Sequence, residues 1–140
     1  MKNPKEKYDE AKMLKREHYE WRDMNFTIKN GFFPVFHEFK DCLQHLSGGA
    51  VSLFIYLGLN SNNKTGECYH SIETMANFFD KSTRTISQWL KELEENELIV
   101  RIQLEFNGVS HTFLRPYGEN KDVIKRLVDL KEKNLNSNLF

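Results

Sequence analysis

The chain has 140 residues, 20 Lys plus Arg balanced by 20 Asp plus Glu, and 11 Phe, 5 Tyr and 2 Trp. That length suits one domain with a proper core, and the aromatic load excludes a disordered chain. The longest apolar stretch, Ala50 to Leu59, falls far short of the roughly 20 residues of a bilayer span.

Met1 to Glu10 is charged and no secretory h-region follows, so no membrane partner is expected. Cys42 and Cys68 form no CxxC pair, which argues against a disulfide scaffold or a structural zinc finger. A reducing cytoplasm is the expected compartment.

Pro4 to about Trp21 reads as an amphipathic helix, with Tyr8, Ala11, Leu14, His18 and Trp21 recurring at helical spacing. Asn25 to Lys29 reads as a short strand, Asn30-Gly31 as a turn, and Val35 to Leu46 as a helix. Ser47 is an N-cap for a buried helix over the apolar run to Leu59, with Gly48-Gly49 resembling a local turn at its start. Asn60 to Gly66 is a polar loop.

Ser71 then caps a short helix with Ile72, Met75, Ala76 and Phe79 inward. Asp80-Lys81 makes a tight turn. Ser82 caps a third helix, 82–96, whose inward stripe is Ile86, Trp89, Leu90 and Leu93.

Asn107-Gly108 signals a two-residue type I′ hairpin. Folding about it pairs Phe106 with Val109, Leu104 with His111 and Ile102 with Phe113 on an apolar, inward face. Glu105, Gln103, Arg101, Ser110, Thr112 and Leu114 fall on the outward one. Arg115-Pro116 ends the hairpin. Lys121 to about Leu135 forms a last amphipathic helix on Val123, Ile124, Leu127, Val128 and Leu130, and Asn136 to Phe140 is expected to fray.

The fold class is therefore mainly α with a small β-hairpin wing (α+β), a winged helix-turn-helix with extra terminal helices. Residues 1–24 form an N-terminal amphipathic arm, 25–118 the winged domain, and 119–140 a C-terminal helix and tail. The arm's apolar surface suggests a homodimer through the terminal helices.

The chemistry lies in helix 82–96. Its outward positions, Ser82, Thr83, Arg84, Thr85, Ser87, Gln88 and Lys91, are hydroxyls, an amide and cations, types that suit phosphates and base edges. Arg84 matches guanine O6/N7 and Gln88 an adenine edge. No carboxylate lies between Asp80 and Glu92, while Glu92, Glu94, Glu95 and Glu97 crowd the trailing end. A helix entering a major groove by its leading half keeps that end away from phosphates. Ser71, Lys81 and Asn107 complete the candidate contacts with double-stranded DNA.

Residues 46–115 resemble the winged-helix DNA-binding domains of plasmid and phage replication initiators and of related small bacterial regulators. Three features carry the resemblance. They are Thr65-Gly66-Glu67 before the Ser71-capped helix, Ser82-x-Arg84-Thr85-Ile86, and the exit Leu90-x-Glu92-Leu93-Glu94-x-x-x-Leu98-Ile99.

It implies sequence-specific DNA binding in transcription regulation or plasmid-type DNA replication. The alternative is a winged-helix adaptor in a replication or conjugation assembly that touches no DNA. Asp80-Lys81 departs from the family's usual Gly-aliphatic turn, and no Lys or Arg lies between Arg101 and Arg115 to grip phosphate at the wing.

His37, Asp41 and His45 share an i, i+4, i+8 row near Cys42, a ligand set too sparse for a metal sensor. Cys68 lacks neighbours that would activate its thiol. With no GxxxxGK, HExxH or GxSxG motif, the chain reads as non-catalytic and without a cofactor.

Overall fold

The computed structural model describes residues 1–138, with side chains through 135. The described residues fall into two compact units, Met1–Phe32 and the chain from Phe33 onward.

The first unit is helix α1, Pro4–Thr27, and the turn that ends it. Asn3 and Glu6 form a reciprocal capping box, Glu6 N–H to Asn3 Oδ1 at 2.9 Å and Asn3 N–H to Glu6 Oε2 at 3.0 Å. Pro4 sits at the start, where its missing N–H costs nothing.

The strand expected at Asn25–Lys29 does not form. Asn25 and Thr27 instead return their side chains to the carbonyls of Trp21 and Asp23, each at 2.9 Å, and the helix continues through them. The reversal falls at Ile28-Lys29 rather than Asn30-Gly31. Lys29 is left-handed at φ 57°, and Asn30 N–H closes on Asn25 O at 3.0 Å. Phe32 then packs edge-on against Phe26, with Arg22 over the other ring.

In the second unit the helix expected over Val35–Leu46 contracts to a 3-10 turn, His37–Phe39, and the single turn α2, Lys40–Leu43. Phe36 is extended, and its N–H is taken by the Tyr117 hydroxyl at 2.8 Å, so the segment before it stays out of the helix. Phe39 stacks on Phe54 with ring centroids 4.6 Å apart.

Helix α3, Gly48–Leu59, starts at the Ser47 cap as expected, and Gly48-Gly49 is helical rather than a turn. Its Ala50, Leu53, Phe54, Tyr56 and Leu57 are buried and form the middle of the core. Around it pack α4 (Ile72–Phe79) through Met75 and Ala76, and α5 (Thr83–Glu95) through Ile86, Leu90 and Leu93. Each such aliphatic side chain contributes about 1.5–3 kcal/mol by leaving water. Asp80 adopts the left-handed conformation, φ 53°, that lets the chain turn between α4 and α5 without glycine.

The sheet has three strands in the order β1-β3-β2, with β1 at Glu67–Cys68, β2 at Ile99–Gln103 and β3 at Ser110–Leu114. The two-residue strand β1 had no signature of its own in the sequence.

The hairpin departs from its expected register by two residues. Ile102 lies opposite His111 and Arg101 opposite Thr112. The loop spans 104–109, and its turn runs from Glu105 to Gly108, closed by Gly108 N–H to Glu105 O at 2.9 Å. Only Asn107 has positive φ, as a type II rather than a type I′ turn requires.

The faces are also exchanged. Ile99, Arg101, Thr112 and Leu114 look inward, while Val100, Ile102, Leu104 and Val109 are exposed. Parity explains this. Leu98 and Ile99 are buried where α5 gives way to β2, so every second residue after Ile99 must follow it inward. Arg101 meets the cost by donating Nε–H to Thr112 Oγ1 at 3.2 Å.

Helix α6 runs Lys121–Asn138 with Val123, Ile124, Leu127, Val128 and Leu130 exposed. The fraying expected for Asn136–Phe140 concerns side chains outside the described ones, and residues 139–140 lie outside altogether. No helix among the described residues is long and apolar enough to cross a membrane.

A Cβ built on Gly49 would overlap the Trp89 indole, whereas Gly48 faces open space. Gly49→Ala should therefore destabilise by about 1–3 kcal/mol through overpacking. Gly48→Ala should be neutral or stabilising by up to about 1 kcal/mol. Urea unfolding of the two variants measures the contrast.

Candidate nucleic-acid interface

Helix α5 is held by three kinds of contact, and together they decide which of its faces remains open. The aliphatic stripe enters the core, Trp89 lies against Gly49, and Glu92 reaches the start of α3. There Glu92 Oε1 accepts Ser47 N–H at 2.9 Å and Oε2 accepts the Ser47 hydroxyl at 2.6 Å. Ser47 in turn caps Ala50 N–H. Glu92, the first of the trailing acids, is thus half-buried and committed to α3. The 45-residue separation leaves no linear signal.

The opposite face carries Arg84, Ser87, Gln88 and Lys91, all exposed, at spacings that keep them on one stripe about 10 Å long. Thr83 is exposed beside them. Thr83, Arg84, Ser87 and Gln88 make no side-chain hydrogen bond among the described residues, and Lys91 has only a distant partner, Glu95 at 3.9 Å.

Ser82 and Thr85 are differently employed. The Ser82 hydroxyl accepts Thr85 N–H at 3.1 Å and meets Thr85 Oγ1 at 3.0 Å. Ser71 has the matching arrangement with Thr74 at the head of α4. These hydroxyls cap the helix starts, and Thr85 is half-buried. Lys81 is exposed in the turn between the helices. Asn107 is exposed on the wing loop.

Among the trailing acids, Glu97 meets Lys121 at 3.2 Å. The wing joins the body through Glu67. His111 Nδ1–H donates to Glu67 Oε1 at 2.7 Å and the Tyr69 hydroxyl to Oε2 at 3.0 Å, with the Tyr69 ring edge-on to His111. His111, expected on the inner face, thus sits on the outer one.

The hydrogen bond from His111 holds the Glu67 carboxyl below the usual carboxylate range, against the opposing effect of burial and with help from Tyr69. Burial pushes the Cys68 thiol up, more than its His70 and Arg101 neighbours lower it, so it is a poor nucleophile. Burial likewise raises Cys42. No group of three or more His, Cys, Asp or Glu among the described residues is placed to hold a metal ion, the His37, Asp41, His45 row included.

A family model described as a helix-turn-helix domain matches residues 44–99, the span from the turn before α3 to the first residue of β2. This segment is a helix-turn-helix domain. The β2–β3 hairpin after α5, joined by β1, makes the fold a winged helix-turn-helix of the α+β class.

Among solved structures, an N-terminal domain of a DNA-binding protein is similar over 79% of this chain and 92% of its own, at 15% identity and a TM-score of 0.50. A chain from a Rep–DNA complex is similar over 79% and 93%, at 15% identity and a TM-score of 0.49. At such identity the first likeness concerns the fold. No curated protein matches the chain.

The lowered Glu67 value fixes a pH dependence for the helix-turn-helix domain and its wing. A depressed carboxyl contributes stability above its unfolded pKa and loses it as pH falls through the folded one. In urea unfolding, the margin of wild type over Glu67→Gln should persist from neutrality to the ordinary carboxylate range and shrink below it. A margin that stays constant throughout that acid window would detach the pair from stability.

Proposed function

We propose that the chain binds double-stranded DNA, with α5 entering the major groove by its leading turns. The observation that carries this is the exposed row Arg84, Ser87, Gln88 and Lys91, opposite the buried stripe, the first three without a side-chain partner among the described residues. The helix-turn-helix match supports DNA binding in general.

In this reading Arg84 addresses a guanine edge and Gln88 an adenine edge, while Lys81, Thr83, Ser87 and Lys91 position the helix on phosphates and neighbouring bases. Ser71, Ser82 and Thr85 order the two helix starts so that their outward N–H groups face the backbone. Asn107 approaches from the wing. The chain acts as a small regulator or a replication accessory, a binding module with no reaction of its own.

Fluorescence anisotropy on duplexes selected from a random pool tests the reading. Arg84→Ala should weaken the selected site by about 1–3 kcal/mol and relax preference at one base. Affinity should also fall steeply with salt. An isotherm and preference both untouched by Arg84→Ala remove that residue from the interface. Absence of binding even at low salt leaves the protein-adaptor reading instead.

The proposal includes a homodimer through the terminal helices, supported by the exposed stripe of α6 and by Tyr8, Leu14 and Trp21 on α1, a helix with no buried residue. At the lowest concentrations sedimentation should give twice the chain mass, and Leu127→Lys should lower it. A wild-type mass of one chain at every concentration removes the dimer.

A further inference from the structure

Phe106, at the tip of the wing, is 94% exposed, and only the terminal Met1 exceeds it among the large apolar side chains described. Leu104 and Val109 beside it are also exposed, and Glu105 is the loop's one charge. An isolated ring held out on a closed turn gains nothing from water and packs on nothing within the chain. Phosphate does not account for it either, because residues 102–114 contain no Lys or Arg and Glu105 repels DNA.

At the other end of the same sheet lies a cleft of about 260 Å³. Phe33, Phe36, Leu114, Pro116 and Tyr117 line it, with Arg115 on the wall. Rings and aliphatic carbon make up most of the lining, to which Ser61, Asn62 and Asn63 also contribute, and the Tyr117 hydroxyl accepts Phe36 N–H. Arg115 is exposed and has no ion pair among the described residues.

We infer that Phe106 of one copy of this chain seats in the aromatic cleft of a second copy, with Glu105 facing Arg115. The match has two parts: an aromatic anchor for an aromatic-lined cleft, and an acid beside the anchor for a cation beside the cleft. The knob precedes β3 and the cleft begins where β3 ends, so the two lie at opposite ends of one strand. Two copies that exchange knobs about a two-fold axis close at two, and copies that do not exchange them run on head to tail. This contact does not depend on DNA and is tested without it.

Sedimentation velocity and light scattering over a concentration series, in the full chain, read the contact directly. In Leu127→Lys, which lacks the terminal-helix contact, the mass should still climb above that of one chain as concentration rises. Phe106→Ser should weaken that association by about tenfold or more and leave the terminal-helix contact in place. Because Phe106 is solvent-facing, the variant should unfold at the wild-type urea concentration.

Glu105→Arg and Arg115→Glu should each weaken association, and the two together should restore it. A Leu127→Lys mass of one chain at every concentration overturns the inference, as does association indifferent to Phe106→Ser. So does a Phe106→Ser variant that loses only DNA affinity, which would assign the ring to a duplex.

Discussion

The seating of α5 on α3 is the constraint from which the rest of the molecule follows. Ile86, Leu90 and Leu93 turn one side of α5 into the core, and this alone leaves some freedom of rotation and slide. Two further contacts remove it. The Trp89 indole occupies the space that a side chain at position 49 would take, fixing how closely the helices approach. Glu92 holds both the N–H and the hydroxyl of Ser47, tying one turn of α5 to the first turn of α3. The stripe of Arg84, Ser87, Gln88 and Lys91 is then outward by geometry rather than by its own polarity.

The same seating dictates the wing. Glu97 ends α5 in a left-handed conformation, Leu98 N–H returns to Leu93 O at 3.0 Å, and Ile99 is pressed into the core at the start of β2. Once Ile99 is inside, the two-residue period of a strand leaves no choice about its successors. A buried aliphatic at the pivot outweighs the summed hydrophobicity of Ile102, Leu104 and Phe106 further out. The wing therefore carries its apolar side outward and conceals an arginine, whose desolvation Thr112 offsets only in part.

What could be read from the sequence was local, and what could not was non-local. Serine caps at 47, 71 and 82, the burial of α3 and the inward stripes of α4 and α5 were legible, because they depend on residues within one or two turns of each other. The outward row on α5 followed from those stripes. The hairpin failed because its register was counted from Asn107-Gly108 outward, whereas the molecule sets it from Ile99 inward.

Asn25–Lys29 misled in a similar way. Its β-like composition needed a partner strand to matter, and bonds back to Trp21 and Asp23 kept it helical. Phe36 lost its helix to a hydroxyl 81 residues away. The pairs Ser47–Glu92 and Glu67–His111 had no sequence signature at all.

The overall neutrality of the chain also looks different once partners are known. Residues 67–98 hold seven carboxylates against three cations, which on paper makes the helix-turn-helix segment acidic. Glu67 is committed to His111 and Tyr69, Glu92 to Ser47, and Glu97 to Lys121. Glu94 and Glu95 lie at least two turns beyond Arg84, near the limit at which physiological salt screens one exposed charge from another. Of the remainder, Glu73 belongs to α4, and Asp80 sits in the turn beside Lys81. The field at the leading turns of α5 is therefore set by Lys81 and Arg84 against Asp80, while Lys91 lies further along beside Glu95 at 3.9 Å, and a neutral total charge coexists with a cationic leading edge.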